Sequence, residues 1–585
     1  MPATSAPIGA SGTSADTSDD RTPSRKSVAL WTLGVFAAAF VAALLIYHQM
    51  WGDPTHRTLG GGGHHNDPLQ SMWFLKAVPW QLFHGHDPLR SNAIGYPYGV
   101  NLAWNTSTPT LALLMTPVTM LAGATFSYAL LMTLAPAATA ATAFLWLRRH
   151  VTYLPAAVVG ALLIGYSPFA TGHLKGHLHL AFAALVPLML ILLEDILWRH
   201  PRPARRSAIY LGVVTAAQLG ISEELVVTIA IGVVIAMLSY LLVDARALVG
   251  AVRTAARPVG LAALIVVVLA SPLLIEQLFV GDFIHMHNSR WRATISDYLL
   301  PSGNTILRGF GRANLNVGGA EDGVYVGPVL LAVLVCGVLL SVRDRLVRCA
   351  VITVGVLVVL SFGDIRVLGI AFPWHYLQRL PGLSAALPVR LSFASWFVIA
   401  WLIARWIDRL HATASAGSRY RRVAAVAGIA AVAGALVTLV PKAVGASTLV
   451  PVPQVLVHPP AGVPRGSPVL LLPPATPNDS LAMYFQQAAD FSFVMPSGYA
   501  YRNGAKDSTL WAPQTPLERL SERPNRARPT DLPNARADLV RLHYREIVVV
   551  KGLPGSTQSR EVATRLAGRP PDRIDSQTWV WLLPG

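Results

Sequence analysis

Residues Gly60 to Pro88 read GGGGHHNDPLQSMWFLKAVPWQLFHGHDP, which gathers four histidines and two aspartates in a chain that is only 13% charged. A carboxylate in such company can accept a proton from a hydroxyl. With imidazole nitrogens it can also hold a divalent metal ion. His64, His65 and Asp67 are the first donors for such an ion, with His173 or His177 as further ligands, although the HH pair lacks the spacing of an HExxH helix. Asp67 has a plainer reading as well. With Pro68 behind it and apolar residues at Leu69, Met72, Trp73 and Leu75, it opens a helix as an N-cap.

Other groups carry the same double reading. His173 and His177 stand in GHLKGHLH, a pair of binding residues or a polar turn between two spans. Glu223 and Glu224 begin an apolar run, where the helix dipole favours carboxylates. Arg292, in FIHMHNSRWR, suits sugar stacking and lipid phosphate, or an ordinary interfacial belt. Arg390 precedes LSFASWF, where its planar fork binds phosphate oxygens or its stem snorkels to the interface.

The elements that must position these residues are membrane spans. The chain has 585 residues, 53% of them hydrophobic, and its repeated apolar runs approach the roughly 20 residues a crossing needs. The expected spans are 28–47, 125–147, 153–170, 179–197, 207–221, 224–243, 259–280, 324–342, 349–362, 391–405 and 423–441. The fold class is thus mainly α, a polytopic helical bundle of about eleven spans. A net charge of +17 does not point to nucleic acid, because the basic residues fall in short clusters between spans. Cys336 and Cys349 lie in or beside apolar runs and supply neither a disulfide framework nor a metal spacing.

Clusters such as RRH at 148–150, RHPRPARR at 199–206 and RDRLVR at 343–348 fall on one side if 108–123 lies along the outer leaflet instead of crossing. That side, with the N-terminus, is then cytoplasmic. Residues 1–27 read as a disordered cytoplasmic segment, and 28–444 as the membrane domain with a large outer loop at 48–124. Residues 445–585 read as a small extracytoplasmic α/β domain. Its strands lie at 468–473, 546–552 and 579–584, and a helix lies at 531–543. The localisation is a multi-pass cell membrane protein, and Asp67, His173, His177, Glu223, Arg292 and Arg390 all face outward.

The arrangement resembles the GT-C superfamily of membrane glycosyltransferases. The resemblance covers most of 28–405. It rests on an acidic residue ahead of an interfacial helix in a long first loop, and on YPYGVNLAWNTSTP (96–109), YSPFATGHLKGHLHL (166–180), DYLLPS (297–302), EDGVYVGPVLL (321–331) and LPGLSAALPVRLSF (380–393). It implies a hexosyl- or pentosyltransferase moving a sugar from a polyprenyl-phosphate donor to an extracytoplasmic glycan, lipid or protein. By position Asp67 is the implied general base; Arg390, at the outer end of span 391–405, is read from its own place as the contact for the donor phosphate. Many members pair two acidic residues in the first loop, whereas this chain has Asn66-Asp67. The competing classes are a lipid-linked sugar flippase, which would need ionisable groups near the bilayer midplane, and a non-catalytic envelope assembly protein. No cofactor is implied beyond an optional divalent metal ion.

Overall fold

The computed structural model describes residues 24–60, 66–280, 291–307, 321–380, 383, 386–501 and 515–584. His64 and His65 lie outside the described residues. Among the described residues, eight helices are long and apolar enough to cross a membrane: Arg25–Ile46, Pro109–Leu147, Leu154–His173, Leu178–Arg199, Glu223–Val243, Ala245–Leu269, Pro388–Ser415 and Arg419–Val437. Three more helices occupy the remaining expected spans, but Ala204–Leu219, Pro328–Leu339 and Arg345–Ser361 have only 16, 12 and 17 residues. At 1.5 Å per residue each falls short of a hydrocarbon core of about 30 Å. Leucines and valines such as Leu33, Leu45, Leu264 and Val267 stay exposed along the outer helices, as lipid-facing surfaces require.

Pro109–Leu147 is two helices joined at Gly123, whose φ of 85° and ψ of 163° break the helical path. A residue with a side chain rarely adopts such a positive φ. Residues 109–122 therefore form a separate piece from the span that follows.

The chain beyond 445 contains the expected strands. A five-stranded sheet runs in the order Arg573–Ile574, Thr578–Leu582, Glu546–Val550, Ser467–Leu472, Phe493–Val494. Ser467–Leu472 lies parallel to Glu546–Val550, with Leu471 opposite Val548. The helices Leu481–Ala488, Asp531–Arg541 and Ser556–Ala567 complete it. This region does not stand apart from the first loop. Trp73, Phe74, Tyr128, Val469, Leu471 and Val548 belong to one buried cluster. Trp73 Nε1 donates to Gln486 Oε1 at 2.8 Å, and Arg57–Leu59 pairs with Ala446–Thr448.

Candidate active site

The helix Asp67–Phe83 is buried on most of its faces, because it lies between the Pro109–Leu147 helix and Leu481–Ala488. Its N-cap is Asn66, one residue earlier than the sequence suggests, and no side chain caps it. The Asp67 carboxylate is turned away from the helix and spent on tertiary partners. Oδ2 lies 3.1 Å from His177 Nε2, and Oδ1 accepts from the Tyr499 hydroxyl at 3.0 Å.

His177 reaches Asp67 because the turn after Pro168–His173 is pressed against the start of that helix. Gly176 has a φ of 154°, and a Cβ there would stand 3.2 Å from the Pro68 ring. Tyr47 donates to the carbonyl of Leu174 at 2.7 Å and Tyr128 to that of Gly176 at 3.2 Å, so the turn is fixed from two spans. His173 ends its helix fully buried, edge-on to Phe169. Its Nδ1 lies 3.0 Å from His177 Nδ1.

Beside the histidines is a buried ion cluster. Arg390 donates from Nε to both oxygens of Glu321, at 3.1 and 2.9 Å, and from Nη2 to Oε1. Its Nη1 donates to Glu224. Trp396 Nε1 holds the Gly323 carbonyl at 3.1 Å, which pins the chain after Glu321 to the same helix that follows Arg390. His173, His177 and Glu321 each present a donor atom within 4.8 Å of the others, the set in this site with the chemistry to hold a metal.

The charges follow from this packing. Burial pushes the Asp67 carboxyl up, but the hydrogen bonds from His177 and Tyr499 outweigh it and hold the group below the ordinary carboxylate range. Burial pushes His177 down, and Asp67 reverses this to leave the imidazole above its usual value. Glu321 is likewise raised by burial and brought far below its usual value by Arg390. Burial and the neighbouring Asp67 charge raise the Tyr499 phenol well above its normal range.

Of the residues singled out in the sequence, Asp67, His173, His177 and Arg390 come together. Glu223 does not join them: it accepts from Gln277 Nε2 at 2.7 Å, and the adjacent Glu224 takes the place beside Arg390. Successive residues on a helix point about 100° apart, so only one of the pair can face the cluster. Arg292 packs beside Gly363 and Pro388, at the turn that precedes Arg390. Arg390 is engaged by two carboxylates instead of standing ready for a phosphate. Asp87 accepts from Leu89 N at 2.8 Å and caps its own turn.

Two participants were not read from the sequence. Glu321 sits in EDGVYVGPVLL, where an acidic residue just before an apolar run was a usable signal. Tyr499, 432 positions from Asp67, left no such trace.

No protein-family model matches the chain, and no curated protein matches its sequence. Among solved structures it is similar to the arabinofuranosyltransferase AftD from Mycobacteria, at 14% identity and a TM-score of 0.52, over 97% of this chain and 40% of that one. The fold is GT-C. Looser similarities extend to the oligosaccharyltransferase AglB from Archaeoglobus fulgidus (13% identity, 88% of this chain and 69% of that one, TM-score 0.43). ArnT from Cupriavidus metallidurans gives 13% identity, 69% of this chain, 63% of that one and a TM-score of 0.38. The chain thus spans about two fifths of the length of AftD. Within this multi-pass membrane bundle, the first-loop acid meets His177 and Tyr499, from two other segments, at one end of the helices.

Proposed function

We propose that the protein is a glycosyltransferase that moves a sugar from a polyprenyl-phosphate carrier to a hydroxyl of an extracytoplasmic acceptor. One observation carries the reading: in a GT-C fold, the first-loop carboxylate Asp67 is held by His177 and Tyr499 beside the Glu321–Arg390–Glu224 cluster. Asp67 Oδ accepts the acceptor's proton as the new bond to the sugar's anomeric carbon forms. The bond from that carbon to the phosphate oxygen breaks, and the phosphate departs with the electron pair. Arg390 holds Glu224 and Glu321 in place for this step, and its own charge is largely neutralised by them.

A flippase is less well supported. The ionisable groups lie at span ends, with His173 closing one helix, Glu224 opening another and Arg390 just ahead of a third. A carrier of charged headgroups would need them near mid-depth. The test is transfer of label from a panel of radiolabelled polyprenyl-phosphate sugars in membranes containing the chain. Asp67→Asn is expected to lower transfer by about 10²–10⁴, with unchanged membrane insertion. Equal transfer by the variant would remove Asp67 from the chemistry.

A further inference from the structure

The cluster around Arg390 is short of positive charge. Among the described residues, Asp67, Glu224 and Glu321 face Arg390 and three imidazoles, those of His173, His177 and His179. With neutral imidazoles the carboxylates leave a net charge of −2, three negatives less one positive, in surroundings where unmatched charge is costly. One imidazolium would still leave −1. A divalent cation would bring the sum to zero.

The hydrogen bonds define where such an ion fits. A carboxylate only accepts, so His177 Nε2, 3.1 Å from Asp67, carries the proton. In the neutral ring Nδ1 is then a bare lone pair, and it stands 3.0 Å from His173 Nδ1. His173, His177 and Glu321 each offer one ligand atom, and these atoms lie within 4.8 Å of one another. One ion with bonds of about 2.0–2.2 Å reaches donors up to about 4.4 Å apart, so a small side-chain rotation closes the set around it. We propose that His173 Nδ1, His177 Nδ1 and Glu321 bind one divalent transition-metal ion of the zinc class.

The supporting shell has the form such a site needs. Ligating histidines donate their other N–H to a carboxylate, as His177 does to Asp67. Glu321 is clamped by Arg390 and Arg390 by Glu224. The turn carrying both histidines is fixed by Tyr47 and Tyr128. Two imidazoles and one carboxylate leave a fourth position open in tetrahedral coordination. In the proposed transfer, and resting on that reading, the open position would take a phosphate oxygen of the leaving carrier, the role Arg390 does not fill.

The competing state is a proton shared between the imidazoles of His173 and His177. The full chain, purified in detergent without a polyhistidine tag and stripped with chelator, is titrated with Zn²⁺ by calorimetry and with Co²⁺ by visible absorption. One equivalent per chain and the bands of four-coordinate Co²⁺ are expected. His173→Ala and Glu321→Gln should each weaken binding at least about tenfold. His375→Ala, which removes a histidine paired with Asp364 in another loop, should leave it unchanged. Thermal melting verifies that each variant is folded, and His177→Gln replaces any that is not. Wild-type binding no tighter than that of His173→Ala, or equal loss in His375→Ala, overturns the site. Because binding is read without turnover, a bound ion with no sugar transfer would defeat the functional reading alone, and transfer by metal-free protein with no bound ion would defeat the site alone.

Discussion

At the scale of single residues, Asp67 is held on both oxygens, and the two bonds come from segments far apart in the chain. Tyr499 is itself anchored: its carbonyl accepts from Gln70 Nε2 at 2.5 Å, one turn along the Asp67 helix. Removing a hydrogen bond to a charged acceptor costs about 1.5–3 kcal/mol. Tyr499→Phe is therefore expected to lower transfer by roughly ten- to hundredfold, with little change in melting temperature. A double-mutant cycle separates this from a general packing effect. In an Asp67→Asn background the Phe substitution should cost almost nothing, and a full additive loss there would show that Tyr499 does not act through Asp67.

At the scale of elements, the strand Glu546–Val550 carries a glutamate where the sheet is buried. Glu546 is 2% exposed, and its Oε2 has no hydrogen-bond partner among the described residues. Burial pushes this carboxyl up to about 7, partly opposed by Arg573. The sign follows from proton counts. Between the ordinary value of 4.5 and about 7 the folded chain keeps a proton that the unfolded chain has lost, so stability falls as pH rises through that window. The fall is on the order of 3 kcal/mol. Glu546→Gln should flatten it, which denaturation midpoints at pH 5 and pH 8 in detergent will show. A wild type no less stable at pH 8 than the variant, relative to pH 5, would contradict the assignment.

The helix 109–122 is the other instructive element. Leu114 and Leu121 are strongly exposed, and the break at Gly123 sets the piece off from the span behind it. Those features support the proposal that it lies in the outer leaflet, which the charge pattern also requires.

For the whole molecule, the basic clusters and the candidate site occupy different helix ends. Arg149 pairs with Asp195, and Arg405 and Arg409 with Asp344, all close to the Lys/Arg-rich connections read as cytoplasmic. The proposed orientation has the site and the region after 445 outside. Alkaline phosphatase fused after Gly585 should be active, and fused after Arg206 inactive. The reverse pattern would overturn the orientation and, with it, an extracytoplasmic acceptor.

Apolar run length and the spacing of basic clusters made the helical membrane bundle legible in the sequence, because both are one-dimensional signals: a bilayer demands a minimum apolar length. The strands Ser467–Leu472, Glu546–Val550 and Thr578–Leu582 were legible for a similar reason, as short apolar runs bounded by turn residues. Polar groups at span ends are costly to place, so Asp67, His173, His177 and Arg390 could be picked out as residues with work to do. What they do to one another was not legible. That Arg390 is held by Glu224 and Glu321, that Glu223 faces elsewhere, and that Tyr499 reaches Asp67 depend on contacts between residues 54 to 432 positions apart. Such contacts are set by helix rotation and by a turn that only glycine lets approach Pro68. The tertiary structure alone decides them, because neither the direction a side chain faces across a bundle nor its partner leaves a periodic mark in the sequence.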